Sequence, residues 1–209
     1  MSRRDGRASQ RFYLIGNYLC LDFVNTEAVA EGRPVNLLAD FDDLISWLAA
    51  AKVLGAPQAE EIVMVWGGRR EAEKTLARAL EFRAALRHMA ERLVDGKAVP
   101  TATIVLINDL LNNQVSYAEL RRTRGGFEKH IHANFNEPGH LLLPIAESVC
   151  DLLCYSDFSL IKKCENDACV LYFYDTTKNH SRRWCSMNAC GNRMKVAAHY
   201  RRLRRTNAT

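Results

Sequence analysis

Two cysteine pairs near the end of the chain carry its clearest chemistry. Cys164-Glu-Asn-Asp-Ala-Cys169 is followed, after fifteen residues, by Cys185-Ser-Met-Asn-Ala-Cys190. Structural zinc sites take four thiolates tetrahedrally, often from pairs two to four residues apart. A four-residue loop bends both sulfurs toward one ion, and the intervening segment is long enough for a small hairpin that returns the chain to it. The spacing points to one structural Zn2+ held by Cys164, Cys169, Cys185 and Cys190. The alternative for the same residues is four ordinary buried or disulfide-bonded cysteines. Four thiolates leave zinc no open position for water, so zinc-assisted hydrolysis is not expected.

The elements that must position these sulfurs sit in a chain of 209 residues, long enough for one domain with a sizeable core and a small appendage. A hydrophobic content of 48% and a charged content of 25% are those of a soluble globular protein. No run of eighteen apolar residues is present, so no transmembrane helix is expected. The N-terminus does not read as a signal peptide, which implies the cytoplasm, where clustered thiols suggest metal rather than disulfides. The odd total of seven Cys agrees with that.

Charge is unevenly spread. From Thr176 to Thr209 there are nine Lys or Arg and no Asp or Glu, leaving 20 basic and 24 acidic residues on the rest of the chain. A basic tail on a mildly acidic body points to a polyanion partner, nucleic acid first; the plainer reading is a solvated basic face.

In chain order, residues 1–10 read as a disordered tail. Phe12 to Thr26 is apolar with ambiguous period and reads as helix, and Gly32-Arg-Pro34 is a turn. Asp40 is a candidate N-cap for a helix over Phe41 to about Leu54, ended by Gly55. Pro57 opens the next helix, to Trp66. A long helix over Arg69 to Val94 presents Leu76, Ala79, Leu80, Arg83, Leu86 and Leu93 on one face and stops at Gly96. Thr101 caps a helix through Asn112, with Ile104, Ile107 and Leu111 facing in. Tyr117 to Phe135 reads as a β-hairpin about Gly125-Gly126. Asn136-Glu-Pro-Gly139 is a turn, and Leu141 to about Leu153 is again helix, with Pro144 in its first turn. Cys150 and Cys154 on that helix read as small core residues rather than a redox pair. His130 and His132 lack a ligand-bearing neighbour and read as structural or surface residues.

Residues 160–205 resemble the CGNR-type zinc finger, named for the residues that here read Cys190-Gly191-Asn192-Arg193. The resemblance extends over Cys164-x4-Cys169, Tyr172-Phe173-Tyr174-Asp175, Asn179, Ser181 to Met187, and Lys195. After Asp175 the chain reads Thr-Thr-Lys-Asn where the family more usually has Ser and Arg. The upstream part resembles the ABATE domain that precedes this finger in bacterial proteins, through Tyr18-Leu-Cys-Leu-Asp-Phe-Val-Asn25-Thr26 and the helix start Leu143-Pro144-Ile145-Ala146. The resemblance implies a transcription regulator, related to stress; the expectation that the chain is not an enzyme rests on its motifs, below.

On that reading the fold is mainly α with a β-hairpin (α+β), ending in a treble-clef-like zinc finger. The domains are 11–157 and 160–205. In the finger, Val170 to Tyr174 and Ser181 to Trp184 are expected to pair as a hairpin, with Cys190 at the first turn of the last helix. Phe173 and Trp184 fill its small core, and Gly191 lets the backbone turn freely or pass close to the metal. Asp175, Asn192 and Arg193 are expected to support the site, Asp175 through Arg182, Arg183 or Arg193; the alternatives are a catalytic carboxylate for Asp175 and nucleic-acid contact for Asn192 and Arg193. In the final helix Val196, Tyr200 and Leu203 share a face that docks on the finger or the body. Lys178, Arg182, Arg183, Lys195, Arg201, Arg202, Arg204 and Arg205 are the candidate DNA contacts. RNA or a protein partner is the alternative, with Tyr172, Tyr174 or Trp184 available for stacking. The upstream domain is read as sensing a small-molecule ligand or forming a homodimer. No G-x-S-x-G, Walker-type loop or H-E-x-x-H suggests catalysis.

Overall fold

The computed structural model describes residues 11–30, 32–112, 116–123, 125–133 and 137–206. The tail expected at 1–10 lies outside the described residues, as do the side chains of His130 and His132.

The body is helical. A short helix α1 (Leu19–Val24) leads into a hairpin, β1 (Glu27–Ala30) and β2 (Arg33–Asn36). Helices α2 (Phe41–Ala50), α3 (Ala56–Trp66), α4 (Arg70–Val94) and α5 (Thr101–Leu111) follow. A second hairpin, β3 (Ser116–Thr123) with β4 (Gly126–Ala133), precedes α6 (Leu143–Tyr155). The C-terminal region adds β5 (Ile161–Lys163), β6 (Tyr172–Tyr174) and α7 (Asn192–Thr206). The three sheets among the described residues are antiparallel strand pairs, so the mainly helical α+β reading holds.

Local chemistry explains the boundaries. The Asp40 carboxylate accepts the Asp43 N–H at 2.8 Å, satisfying a donor that the first turn of α2 leaves free. That helix stops at Ala50, short of the expected Leu54, because the chain turns at Lys52 with φ of 61°. Gly55 instead precedes α3, whose first turn holds Pro57. Gly96 leaves α4 at φ of 68°, a conformation that costs glycine little. The turn expected at Gly32 joins β1 to β2, a hairpin that the sequence did not suggest.

One continuous core runs through the body. On α4 it takes Ala72, Ala79, Phe82, Leu86, Met89 and Leu93, at spacings of three, four and seven that fall on one helix face. Phe23 of α1 lies against Trp47 of α2 and Phe82 of α4, ring centroids 5.1 and 6.2 Å apart. Each such side chain contributes about 1.5–3 kcal/mol by leaving water. Ile161 and Tyr172, from the C-terminal region, complete the same core.

Three expected orientations differ. Ile107 faces inward as expected, but Ile104 is 43% exposed and Leu111 half-buried, and Thr103 and Leu110 are buried in their place. That helix starts at Thr101 rather than being capped by it, and it carries apolar residues on more than one side. Cys150 is half-buried and Cys154 exposed, because α6 packs through Ile145, Ala146, Val149 and Leu152. In the C-terminal region, β6 pairs with β5, not with Ser181 to Trp184. That later segment has no regular structure and is held by the Arg183 carbonyl, which accepts the Glu165 N–H at 3.0 Å.

Candidate metal centre

The first cysteine pair sits in the bend between β5 and β6. Cys164 directly follows β5, and its N–H reaches the Leu171 carbonyl at 2.9 Å, extending the pairing into the bend. Asn166 shapes the loop: its carbonyl accepts the Cys169 N–H at 2.7 Å and its side-chain oxygen the Ala168 N–H at 3.2 Å. The second pair opens the last helix. The Ser186 side chain accepts the Ala189 N–H at 3.3 Å and begins a widened turn of π-helix, Met187–Gly191, that runs into α7.

These elements bring all four sulfurs within 4.8 Å of one another. The Sγ atoms of Cys169 and Cys185 are 3.8 Å apart. A regular tetrahedron with Zn–S bonds of about 2.3 Å has S–S edges of about 3.8 Å, so the set fits zinc. Cys164, Cys185 and Cys190 are buried and Cys169 is half-buried. The sulfurs also receive donors: the Cys185 N–H points to Cys164 Sγ at 3.4 Å, and Asn166 Nδ2 to Cys190 Sγ at 3.2 Å. Asn166, at 6% exposure, thus orients both the loop and a ligand, a role the sequence reading missed.

The protons of the cluster are strongly coupled. Hydrogen bonds from the Cys169 and Cys185 thiols hold Cys164 down at about 2, while the hydrogen bond with Cys164 pushes Cys169 up to about 12. Cys185, beside both, is pushed up further. Crowded sulfurs cannot all be anionic without a cation among them, and a coordinated divalent ion removes that restriction. The cluster is able to hold one zinc ion, with its coordination closed by sulfur.

A second small core surrounds the centre, made of Leu171, Phe173, three of the cysteines and Ala28 of β1, with Ile15 and Trp184 packed against it. Gly191 has no positive φ, so the expected turn role is corrected. A side chain there would come within 2.5 Å of Met187 Sδ and 3.3 Å of Trp184 Cε3, and glycine keeps that packing.

Asp175 is completely buried, and its partners are not the arginine side chains expected. It accepts Lys162 Nζ at 2.6 Å, Thr177 Oγ1 at 2.6 Å, and the backbone N–H groups of Thr177 and Arg182 at 3.0 and 2.8 Å. Burial alone would raise its pKa, but these donors outweigh burial and hold the carboxyl well below its usual range.

The candidate contact residues divide. Arg182 lies with its guanidinium 4.0 Å from the Phe173 ring centroid and donates to the carbonyls of Ile15, Trp184 and Cys185. Arg183 is exposed and paired with Glu165 at 2.6 Å. Lys178, Arg193 and Lys195 are exposed. Asn192 is exposed too, and neither it nor Arg193 makes a side-chain hydrogen bond to another described residue. The backbone of Arg201, Arg202, Arg204 and Arg205 continues α7, but their side chains lie outside the described residues.

The metal centre is tied to the body by groups far away in sequence. Asn25 Nδ2 donates to the Tyr172 carbonyl and Asn25 Oδ1 accepts the Tyr172 N–H, both at 2.8 Å. The Tyr174 N–H reaches the Gly16 carbonyl, and Asn17 Nδ2 the Tyr174 carbonyl, also at 2.8 Å. Arg87 of α4 donates to the carbonyls of Val24, Glu27 and Val170, the last one residue from Cys169. Buried Arg83 holds Thr26 Oγ1 at 2.9 Å and Asn36 Oδ1 at 2.8 Å. Arg83 is buried on the face of α4 where the sequence places it; nothing local marks the bonds of either arginine, since their partners are a hydroxyl, an amide oxygen and carbonyls distant in sequence.

A helical body carrying a closed four-sulfur centre, with a basic helix rising from it, defines a zinc-finger protein. The model of the family described as "Putative stress-induced transcription regulator" (ABATE) matches residues 17–156, and that of the CGNR zinc finger matches residues 161–203. The chain belongs to the ABATE family and ends in a CGNR zinc finger. A search of the curated proteins returns no match. Neither matching family is one of enzymes. No helix among the described residues is long and apolar enough to cross a membrane.

Proposed function

We propose that this protein regulates transcription by binding DNA through its C-terminal finger, residues 160–205, with Cys164, Cys169, Cys185 and Cys190 ligating one structural zinc. One observation carries the reading. The segment from Thr176 to Thr209, with nine cations and no acid, is mounted on the metal centre, and Lys178 and Lys195 stand exposed there. Cations without acidic neighbours are suited to phosphates, and each phosphate they neutralise releases counterions. Zinc supplies the rigidity that a short segment with a small core cannot supply by packing. The upstream domain, residues 11–157, supplies ligand sensing or dimerisation.

The test is binding of the zinc-loaded protein to labelled genomic fragments across a salt series. The reading expects fragment-selective binding that weakens steeply with salt. Absence of binding by folded, metal-loaded protein overturns it, and a preference for single-stranded RNA moves the assignment to an RNA-binding module.

A further inference from the structure

The apolar stripe of α7 was expected to dock on the protein, and its Val196 and Tyr200 stand exposed instead. The half-buried positions of its first turns are Met194 and Ala198, four apart on one side. Val196 and Tyr200, also four apart, are 55% and 61% exposed and lie on the opposite side. At about 100° per residue, Asn192, Arg193 and His199 fall beside them, giving a face about 120° wide. All five residues are exposed. From Asn192 to Tyr200 the face is about 12 Å long, at about 1.5 Å per residue.

We infer that this face of α7 is a base-reading surface that enters the major groove of duplex DNA. The inference rests on the proposed DNA binding and adds what is read. Charge selects the occupant, since the segment bearing the helix has nine cations and no acid, which suits a polyanion. A second copy would bring like charge against like. The composition of the face selects the bases. Asparagine offers the paired donor and acceptor that match adenine, arginine the fork that matches guanine, and Val196 an apolar contact for the thymine methyl. Neither Asn192 nor Arg193 spends its side-chain donors on another described residue. A 12 Å face spans about three or four base pairs at 3.4 Å each. Lys195, off the face, is placed for phosphate.

The experiment uses the full-length, zinc-loaded protein and a random duplex library, followed by the selected duplex, the same duplex with uracil for every thymine, and an unselected duplex. Asn192→Ala, Arg193→Ala and Val196→Ala are compared, each checked for zinc content and circular dichroism. The expected result is a selected site of three to four base pairs per finger, about the length of the face. Asn192→Ala and Arg193→Ala are expected to lose roughly ten- to hundredfold on that site and little on unselected duplex. Removing the thymine methyls costs a few-fold in the parent protein and nothing further in Val196→Ala. The uncharged changes leave the salt slope unaltered. Selective binding insensitive to all three variants, or salt-dependent binding without selection, overturns the inference while leaving DNA binding in place. No duplex binding overturns the proposed function as well. Sedimentation showing a dimer that Val196→Arg dissolves assigns the face to a second copy and overturns the inference.

Discussion

The side chain of Asn25 pairs with the backbone of Tyr172 as a neighbouring strand would. Its amide gives one hydrogen bond and takes another, each 2.8 Å long, across 147 residues of sequence. Both bonds are buried, and Asn25 itself is completely enclosed. Tyr172 ends the loop that carries Cys169, so the amide fixes the metal centre to α1. Only asparagine fits both directions, because aspartate would lose the donor and bury a charge. Replacing Asn25 with Ala leaves a buried N–H and a buried carbonyl unpaired, at about 1–3 kcal/mol each. The expected loss is about 2–5 kcal/mol, seen as a lower denaturant midpoint, together with lost hydrogen-exchange protection at the Tyr172 amide. A variant of wild-type stability would mean that water replaces the amide at no cost.

Metal removal is expected to act locally first. Chelation leaves four crowded thiols with protons where a dication stood, and the second small core with a few hydrogen bonds remains to hold the Cys185 to Gly191 turn. The near-ultraviolet signal of Trp184, packed against that core, should collapse while the α4 core keeps most of the far-ultraviolet helix signal. Cys164→Ser should lower zinc affinity steeply. Because thiols must lose protons to bind metal, affinity falls as pH falls. Coincident loss of both signals would show instead that the body and the finger unfold together.

The metal ligands were legible because their spacing is local: four residues inside each pair and a return segment between. Helix limits were legible where a cap or breaker sits beside them, as at Asp40 and Gly96. The strand partner of Tyr172 to Tyr174 was misread because β5 is only three residues long and shows no alternation. The apolar stripe Val196-Tyr200 was assigned to packing because period alone identifies a face without saying what covers it. The hydrogen bonds of Arg83, Arg87 and Asn166 were missed for one shared reason. Each acts through backbone or side-chain acceptors whose positions only the folded chain defines.

Asp22 gives a pH signature. Burial raises its carboxyl to about 6, against the N–H bonds from Gly16 and Ile15 that pull it down. The folded state therefore holds a proton that the unfolded chain, with a pKa near 3.8, has released. Where the folded state binds more protons, stability falls as pH rises, so this contribution is lost between about pH 4 and 6. Asp175 acts oppositely: its depressed pKa contributes stability that is present above the usual carboxylate range and lost as pH falls below it. Asp22→Asn should flatten the stability profile between pH 4 and 6, measured by urea unfolding with zinc in excess. An unchanged slope would show that Asp22 is ionised in the fold.

The two adjacent kinds of cation should separate in a salt series. Lys195 is exposed, and replacing it with Ala removes one charge from the interface without touching the fold. Its expected effect is a salt slope smaller by about one unit, at unchanged melting temperature. Arg182 is half-buried, stacked on Phe173, and spends its donors on the carbonyls of Ile15, Trp184 and Cys185. Arg182→Ala leaves those carbonyls short of donors and uncovers the ring, so about 2–4 kcal/mol of stability should go. Arg182→Lys should rescue little, because an ammonium lacks the flat fork that reaches several carbonyls at once. If Arg182→Ala instead kept full stability and lowered the salt slope, its guanidinium would belong to the interface, and the division between structural and contacting cations would have to be redrawn.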